Sequence, residues 1–217
     1  MNQLTINITP KSFNADKLVV SDFKEIKTKN CIKMKVSDIS YENDNGEACQ
    51  LFMTLPTVET FGPYPQYDFN SNKESSTDIN GCTISYSNEV VNQLFTKIQK
   101  IYSKKFKKFN IKPIFSKNKK DIETAYFKLK MKGADITTEF YSDKKCTKSI
   151  NGLDLVSKYG SVTPMLHLRS IYFGAHGSSD YNASFQIYIV KAIFEEKQSL
   201  TPNFKFDDTD NEYEEEY

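Results

Sequence analysis

Tryptophan is absent from this 217-residue chain, and histidine occurs only twice, as His167 and His176. Neither histidine lies near a cysteine or carboxylate at the spacing of metal ligands, so no metal centre is expected. The four cysteines (Cys31, Cys49, Cys82 and Cys146) are scattered, with no Cys-x-x-Cys pair. Reduced thiols in an intracellular, reducing compartment are the expectation. A glycine-rich phosphate loop is missing too, since Gly174-Ala175-His176-Gly177 lacks both its spacing and its lysine. Asp38, Asp135, Asp143 and Asp154 are isolated, mostly at turns, and nothing marks out a Ser/His/Asp triad. The opening Met1-Asn2-Gln3-Leu4-Thr5 is not a charged region followed by an apolar core, and no apolar run approaches the ~18 residues of a membrane span. There is no internal repeat. These absences point away from catalysis, cofactors, metals and membranes.

What is present is aromatic and charged. Sixteen Phe and thirteen Tyr are too many for a disordered chain, and 217 residues suffice for one domain with a sizeable core. The 29 basic and 28 acidic side chains nearly cancel, but seven of the acids crowd into the last eleven residues: Asp207, Asp208, Asp210, Glu212, Glu214, Glu215 and Glu216. The other 206 residues hold 29 bases against 21 acids, a net charge of +8. A cationic body tethered to an anionic peptide carries its own competitor for any polyanion, and such asymmetry points to nucleic acid.

Period-two alternation predicts strands at 31–37, 48–55, 124–132, 137–142, 162–174 and 182–194. Residues 42–47 make the first hairpin turn, Gly133-Ala134-Asp135 a second, and Gly174 to Asp180 a third. Residues 61–80 read as a long polar loop. One helix is expected over roughly 88–108, capped by Ser87 or Asn88, with Val91, Leu94, Phe95, Ile98, Ile101 and Tyr102 as its apolar stripe. The expected fold is mainly β: five or six strands and one inserted helix, forming a closed or partly open OB-like barrel or stacked as a β-sandwich. Residues 1–200 form the domain, with 1–30 unplaced as an extension or first strand, and 201–217 form a disordered acidic tail.

Ten lysines and no acid fall between Lys97 and Lys120, Lys104 and Lys105 among them, with Tyr102, Phe106, Phe109 and Phe115 interleaved. In 126–132, alternation sets Phe127, Leu129 and Met131 against Tyr126, Lys128, Lys130 and Lys132, an outer face that is purely cationic with an aromatic. Lys33 and Lys35 repeat the pattern on the first hairpin. If these strands are neighbours, their outer faces form one basic groove. His167 and Arg169 join the outward surface of a later strand, and Tyr64 or Tyr67 reaches in from the long loop. Lysine and arginine neutralise phosphates and aromatic faces stack bases, which is the chemistry of single-stranded nucleic acid.

The tail 207–217, the helix among strands, and the segment 164–173 followed by Gly174 and a closing strand resemble the replicative single-stranded DNA-binding proteins of the bacteriophage T7 type and their counterparts in large eukaryotic DNA viruses. The last residue here is Tyr217, where bacterial and phage tails end in Phe. The resemblance implies an OB barrel interrupted by a helix, and no catalysis. It further implies a tail that covers the DNA groove and recruits replication, recombination or repair enzymes through residues 207–217. Single-stranded DNA is then the partner, with RNA open by the same groove chemistry. A homo-oligomer is allowed, and the location is host cytoplasm or nucleus at viral replication sites. The rival expectation is a viral structural or interaction protein, a β-sandwich that docks its acidic tail on a basic partner.

Overall fold

A computed structural model describes residues 4–27, 33–67, 79–173 and 182–197. Three short strands open the chain: β1 (Thr5–Ile8), β2 (Leu18–Val20) and β3 (Lys24–Lys27). A hairpin of β4 (Lys33–Glu42) and β5 (Ala48–Thr54) follows, then β6 (Val58–Phe61), β7 (Tyr64–Tyr67) and β8 (Ile79–Tyr86). Helix α1 spans Glu89–Lys105. Beyond it come β9 (Asn110–Ile111), β10 (Phe115–Lys117), β11 (Glu123–Leu129), β12 (Met131–Lys132), β13 (Asp135–Ile136), β14 (Glu139–Tyr141) and β15 (Ser149–Ile150). The long strands β16 (Tyr159–Phe173) and β17 (Asn182–Glu196) come last.

The protein is mainly β, but it holds more strands than the five or six expected. Fifteen of them form one sheet whose main path is β1-β5-β4-β16-β17-β11-β8-β7. The antiparallel ladder of β16 and β17 is its spine. Along β16 the other edge is taken in turn by β6, β5 and β4. The stretch left unplaced from sequence supplies three sheet strands, because β1 runs parallel to β5 while β2 and β3 pair with β4. The loop expected over 61–80 contains β7 and the start of β8. The strand expected over 124–132 breaks after Leu129, and β12 and β13 form a separate hairpin. The expected tail, and the turn from Gly174 to Asp180, lie outside the described residues.

No closed barrel forms among the described residues. Closure would need a ladder between β6 and β8, and there only side chains reach across: Thr60 Oγ1 donates to Ser85 O at 2.9 Å and lies 2.7 Å from Ser85 Oγ.

Alternation explains the two faces. On β11, Phe127 and Leu129 are buried while Tyr126 and Lys128 are exposed. The buried set continues on the paired strands as Ile84, Ile187, Ile189, Leu166, Leu168, Leu51 and Met53. Helix α1 covers this face with Val91, Leu94, Phe95, Ile98 and Tyr102, the stripe foreseen from its spacing; Phe95 meets Phe127 at 6.0 Å and Tyr102 meets Phe185 at 5.6 Å between ring centroids. Asn88 caps the helix, its Oδ1 accepting from Val91 N at 3.1 Å. Replacing Asn88 with Ala removes that acceptor, and urea denaturation should show a loss of about 1 kcal/mol.

Candidate nucleic-acid interface

The opposite face of the sheet is not covered by α1 and is open in part: Tyr64, Lys128 and Asn7 are exposed, Phe52, His167 and Tyr188 half-buried, and Thr83 buried. Register pairing carries one row of side chains across it, one residue from each strand: Tyr64 on β7, Thr83 on β8, Lys128 on β11, Tyr188 on β17, His167 on β16, Phe52 on β5 and Asn7 on β1. Cross-strand partners point to the same side of a sheet, so these residues share one surface. Tyr126, paired with Ser85, stands one step along β11 from Lys128.

Beside the row lies a cleft in two adjoining parts that share Phe61, Ser85 and Tyr126. The larger, about 780 Å³, reaches the Lys117–Lys120 turn and the β6 residues Glu59 and Thr60. The smaller, about 570 Å³, is walled by Gly62, Pro63, Tyr64 and Ser157. Phe61, Tyr64 and Tyr126 are 62%, 72% and 57% exposed. No ring contact or hydrogen bond engages the side chain of Tyr64 or Tyr126 among the described residues, whereas Phe61 leans on Tyr159 at 5.4 Å. Exposed rings without partners on a folded surface are the informative kind of apolar exposure.

Local sequence builds the cleft walls. Gly62 N donates to Lys158 O at 2.7 Å, and a Cβ there would collide with the Leu155 carbonyl, so the chain can pass this close only as glycine. Pro65 is tolerated in β7 because β7 is an edge strand. In the β10–β11 turn, Asn118 Oδ1 accepts from Lys120 N at 2.8 Å and Ile122 N at 3.1 Å, which sets Lys119 and Lys120 at the cleft rim. Lys117 pairs with Asp121 at 2.8 Å. Lys119, Lys120, Lys128, Lys130 and Arg169 have no carboxylate within ion-pair distance among the described residues.

At the far end of the row, the His167 ring lies on Phe52, with centroids 4.6 Å apart and planes 16° from parallel. Two register shifts in the β16–β17 ladder flank it, the second leaving Arg169 as the extra residue. Burial, with the charges of Lys130 and Arg169 added, pushes the imidazole down to about 4. His167 is therefore a neutral aromatic group at neutral pH, not the cation that a phosphate contact would need.

Of the residues singled out from sequence, Tyr64, Tyr126, Lys128, Lys130, His167 and Arg169 come together on this open surface. Others do not. Lys35 pairs with buried Phe173, which places it on the helix-covered side, its ammonium 5.7 Å from the Phe23 ring. Its strand is separated from β11 by β16 and β17, so the single groove joining the two lysine strands does not form. Lys104 and Lys105 sit on α1, behind the sheet, and Lys105 bonds Val20 O and Asp22 at 3.0 Å. Lys132 faces Asp135 across the small hairpin. The side chains of Lys33 and Tyr67, and residues 207–217, lie outside the described set. Sequence reading missed Phe61, Phe52 and Tyr188 as site residues.

No group of three or more His, Cys, Asp or Glu residues placed to hold a metal ion occurs among the described residues, and none of their helices is long and apolar enough to cross a membrane. No family model and no curated protein matches this sequence.

The histidine gives a stability test. Its proton is favoured in the unfolded chain, near the ordinary 6.5, and disfavoured in the folded one. Its contribution to stability is full above 6.5 and is lost as pH falls towards 4. Urea midpoints measured across that window should fall less steeply for H167F than for the native chain.

Proposed function

We propose that this chain is a non-enzymatic single-stranded DNA-binding protein acting in DNA replication, recombination or repair, with the cleft between β6, β7 and β11 as its base-stacking site. The observation that carries this reading is the pair Tyr64 and Tyr126, exposed and, among the described residues, unpartnered beside cations that lack carboxylates. Aromatic faces stack bases and the lysines neutralise the phosphates between them. Bases stacked inside a duplex cannot offer their faces to such rings, which favours single strands. The resemblance of the tail and of residues 164–173 to viral and phage single-stranded DNA-binding proteins supports the same reading.

The tail fits it as well. Lys197, the last described residue before it, bonds Glu59 through its ammonium, and its N–H donates to Tyr159 O at 3.0 Å. That ion pair, with the Tyr159 hydroxyl at 2.6 Å, holds the Glu59 carboxyl below its usual range. Glu59 and Tyr159 both line the cleft, so Lys197 stands at its edge. An acidic peptide tethered there competes with DNA at high effective concentration. When DNA displaces it, the tail and Tyr217 are free for a replication partner.

Fluorescence-anisotropy titration of labelled oligo(dT), oligo(U) and duplex DNA over a salt series tests the reading. Tight oligo(dT) binding with weak duplex binding is expected, and Y64A and Y126A should each lose about 5- to 150-fold, the worth of one stacked base at ~1–3 kcal/mol. Unaltered affinity in both variants would overturn the site. K128E should weaken binding and flatten the salt dependence.

Deleting 207–217 should tighten oligo(dT) binding at low salt and do little at high salt. Equal or weaker binding after the deletion rejects the competition. If neither the native chain nor the deletion variant binds any of the probes, docking of the tail on a basic partner becomes the better account.

A further inference from the structure

We propose that the bound strand leaves the cleft and crosses the sheet along the paired row, and that His167, backed by Phe52, is a second base-stacking platform at the far end. This rests on the cleft reading and extends it. Tyr64 and His167 are four strand spacings apart in the row, about 19 Å along the sheet at ~4.8 Å each. One base cannot occupy both places. A strand spanning them passes over Thr83, which is buried, and meets exposed Lys128, then half-buried Tyr188, whose hydroxyl lies 3.4 Å from Gln186 along its own strand rather than reaching outward. The surface between the two ends is thus polar and cationic, suited to backbone.

The platform has the geometry of a stack already begun. One face of the imidazole is taken by Phe52 at 4.6 Å, and the residue is only partly buried. Phe52 is itself only partly buried, so the pair belongs to the open surface and not to the core. Lys130 and Arg169 stand near enough to act on the ring electrostatically and have no acidic partner among the described residues. Burial, with their charges added, keeps the imidazole neutral, and the two cations stand beside it for the phosphates that flank a stacked base. The role of His167 is that of a flat aromatic ring, and another aromatic should replace it.

Full-length protein titrated with oligo(dT) of about 4 and about 16 nucleotides, the two ends of the usual site-size range, separates the subsites. H167A should lose about 5- to 150-fold on the longer probe and nothing on the shorter one. H167F should bind both like the native chain. Because the chain has no tryptophan, H167W adds a single reporter whose emission the longer probe should quench and the shorter should not. Native affinity of H167A for the longer probe, or equal losses on both, overturns the second platform. Y126A weakens both probes if the cleft reading holds. A Y126A variant that binds both normally overturns that reading instead, so the two failures are distinguishable.

Discussion

The hydrogen-bonded ladder between β16 and β17 runs the length of two 15-residue strands, and every other strand of the open-face row is attached to it directly or through one or two neighbours. Side chains on a strand alternate with period two, so pairing to this ladder decides which residues of each neighbour face α1 and which face outward. The apolar set is large: Leu166, Leu168, Ile171, Phe173, Ile187 and Ile189 from the ladder alone are buried. Slipping a neighbour by one residue would expose its share of that core, so burial on one face enforces the arrangement of the other. The candidate interface is, in this sense, the reverse side of the hydrophobic core.

Charge is distributed on both sides of the sheet, but the two sides are chemically different. Behind the sheet, Lys97, Lys100 and Lys104 lie exposed on α1, whose aromatics Phe95 and Tyr102 are turned inward against the core. On the open face, rings and cations are interleaved on the same surface. A net positive body raises the local concentration of any polyanion and speeds encounter, independent of base. Among the described residues, the rings that are more than half exposed, Phe61, Tyr64 and Tyr126, lie at the open face, whereas Phe23 behind the sheet is 41% exposed and packed on Phe106, Phe109 and Phe173. The lysine run between 97 and 120 thus splits: its first part contributes field, and Lys117, Lys119 and Lys120 reach the cleft.

Much of this was legible in the sequence where burial is one-sided. Tyr126, Lys128 and Lys130 were readable as an outer face because Phe127 and Leu129 alternate with them. The helix was readable from its apolar spacing and its cap. Strand β8 buries Cys82, Ile84 and Tyr86 toward the core, but Thr83 between them is buried as well, and Gly81 and the polar stretch before it hid the signal. Strands β1, β2 and β3 are only three or four residues long, too short for a period to show. Lys35 shows the deeper limit. Its strand alternates just as β11 does, yet the neighbours it pairs with turn it toward the helix side. Alternation tells which residues share a face and not which face that is. Phe61 and Phe52 became visible only when separate strands brought them beside Tyr126 and His167.

A surface that takes one side chain from each of seven strands has a particular kind of fragility under mutation. A substitution at one point removes one contact and leaves the others in place. An inserted or deleted codon within a strand is different, because it inverts the alternation beyond that point and sends the contributing side chain to the wrong side. The ladder holds two irregularities of that size around His167 already, fixed in the fold as bulges. Length changes should therefore be tolerated in the connections between strands and purged from the strands themselves, so that sequences adopting this fold would drift in composition far more readily than in spacing.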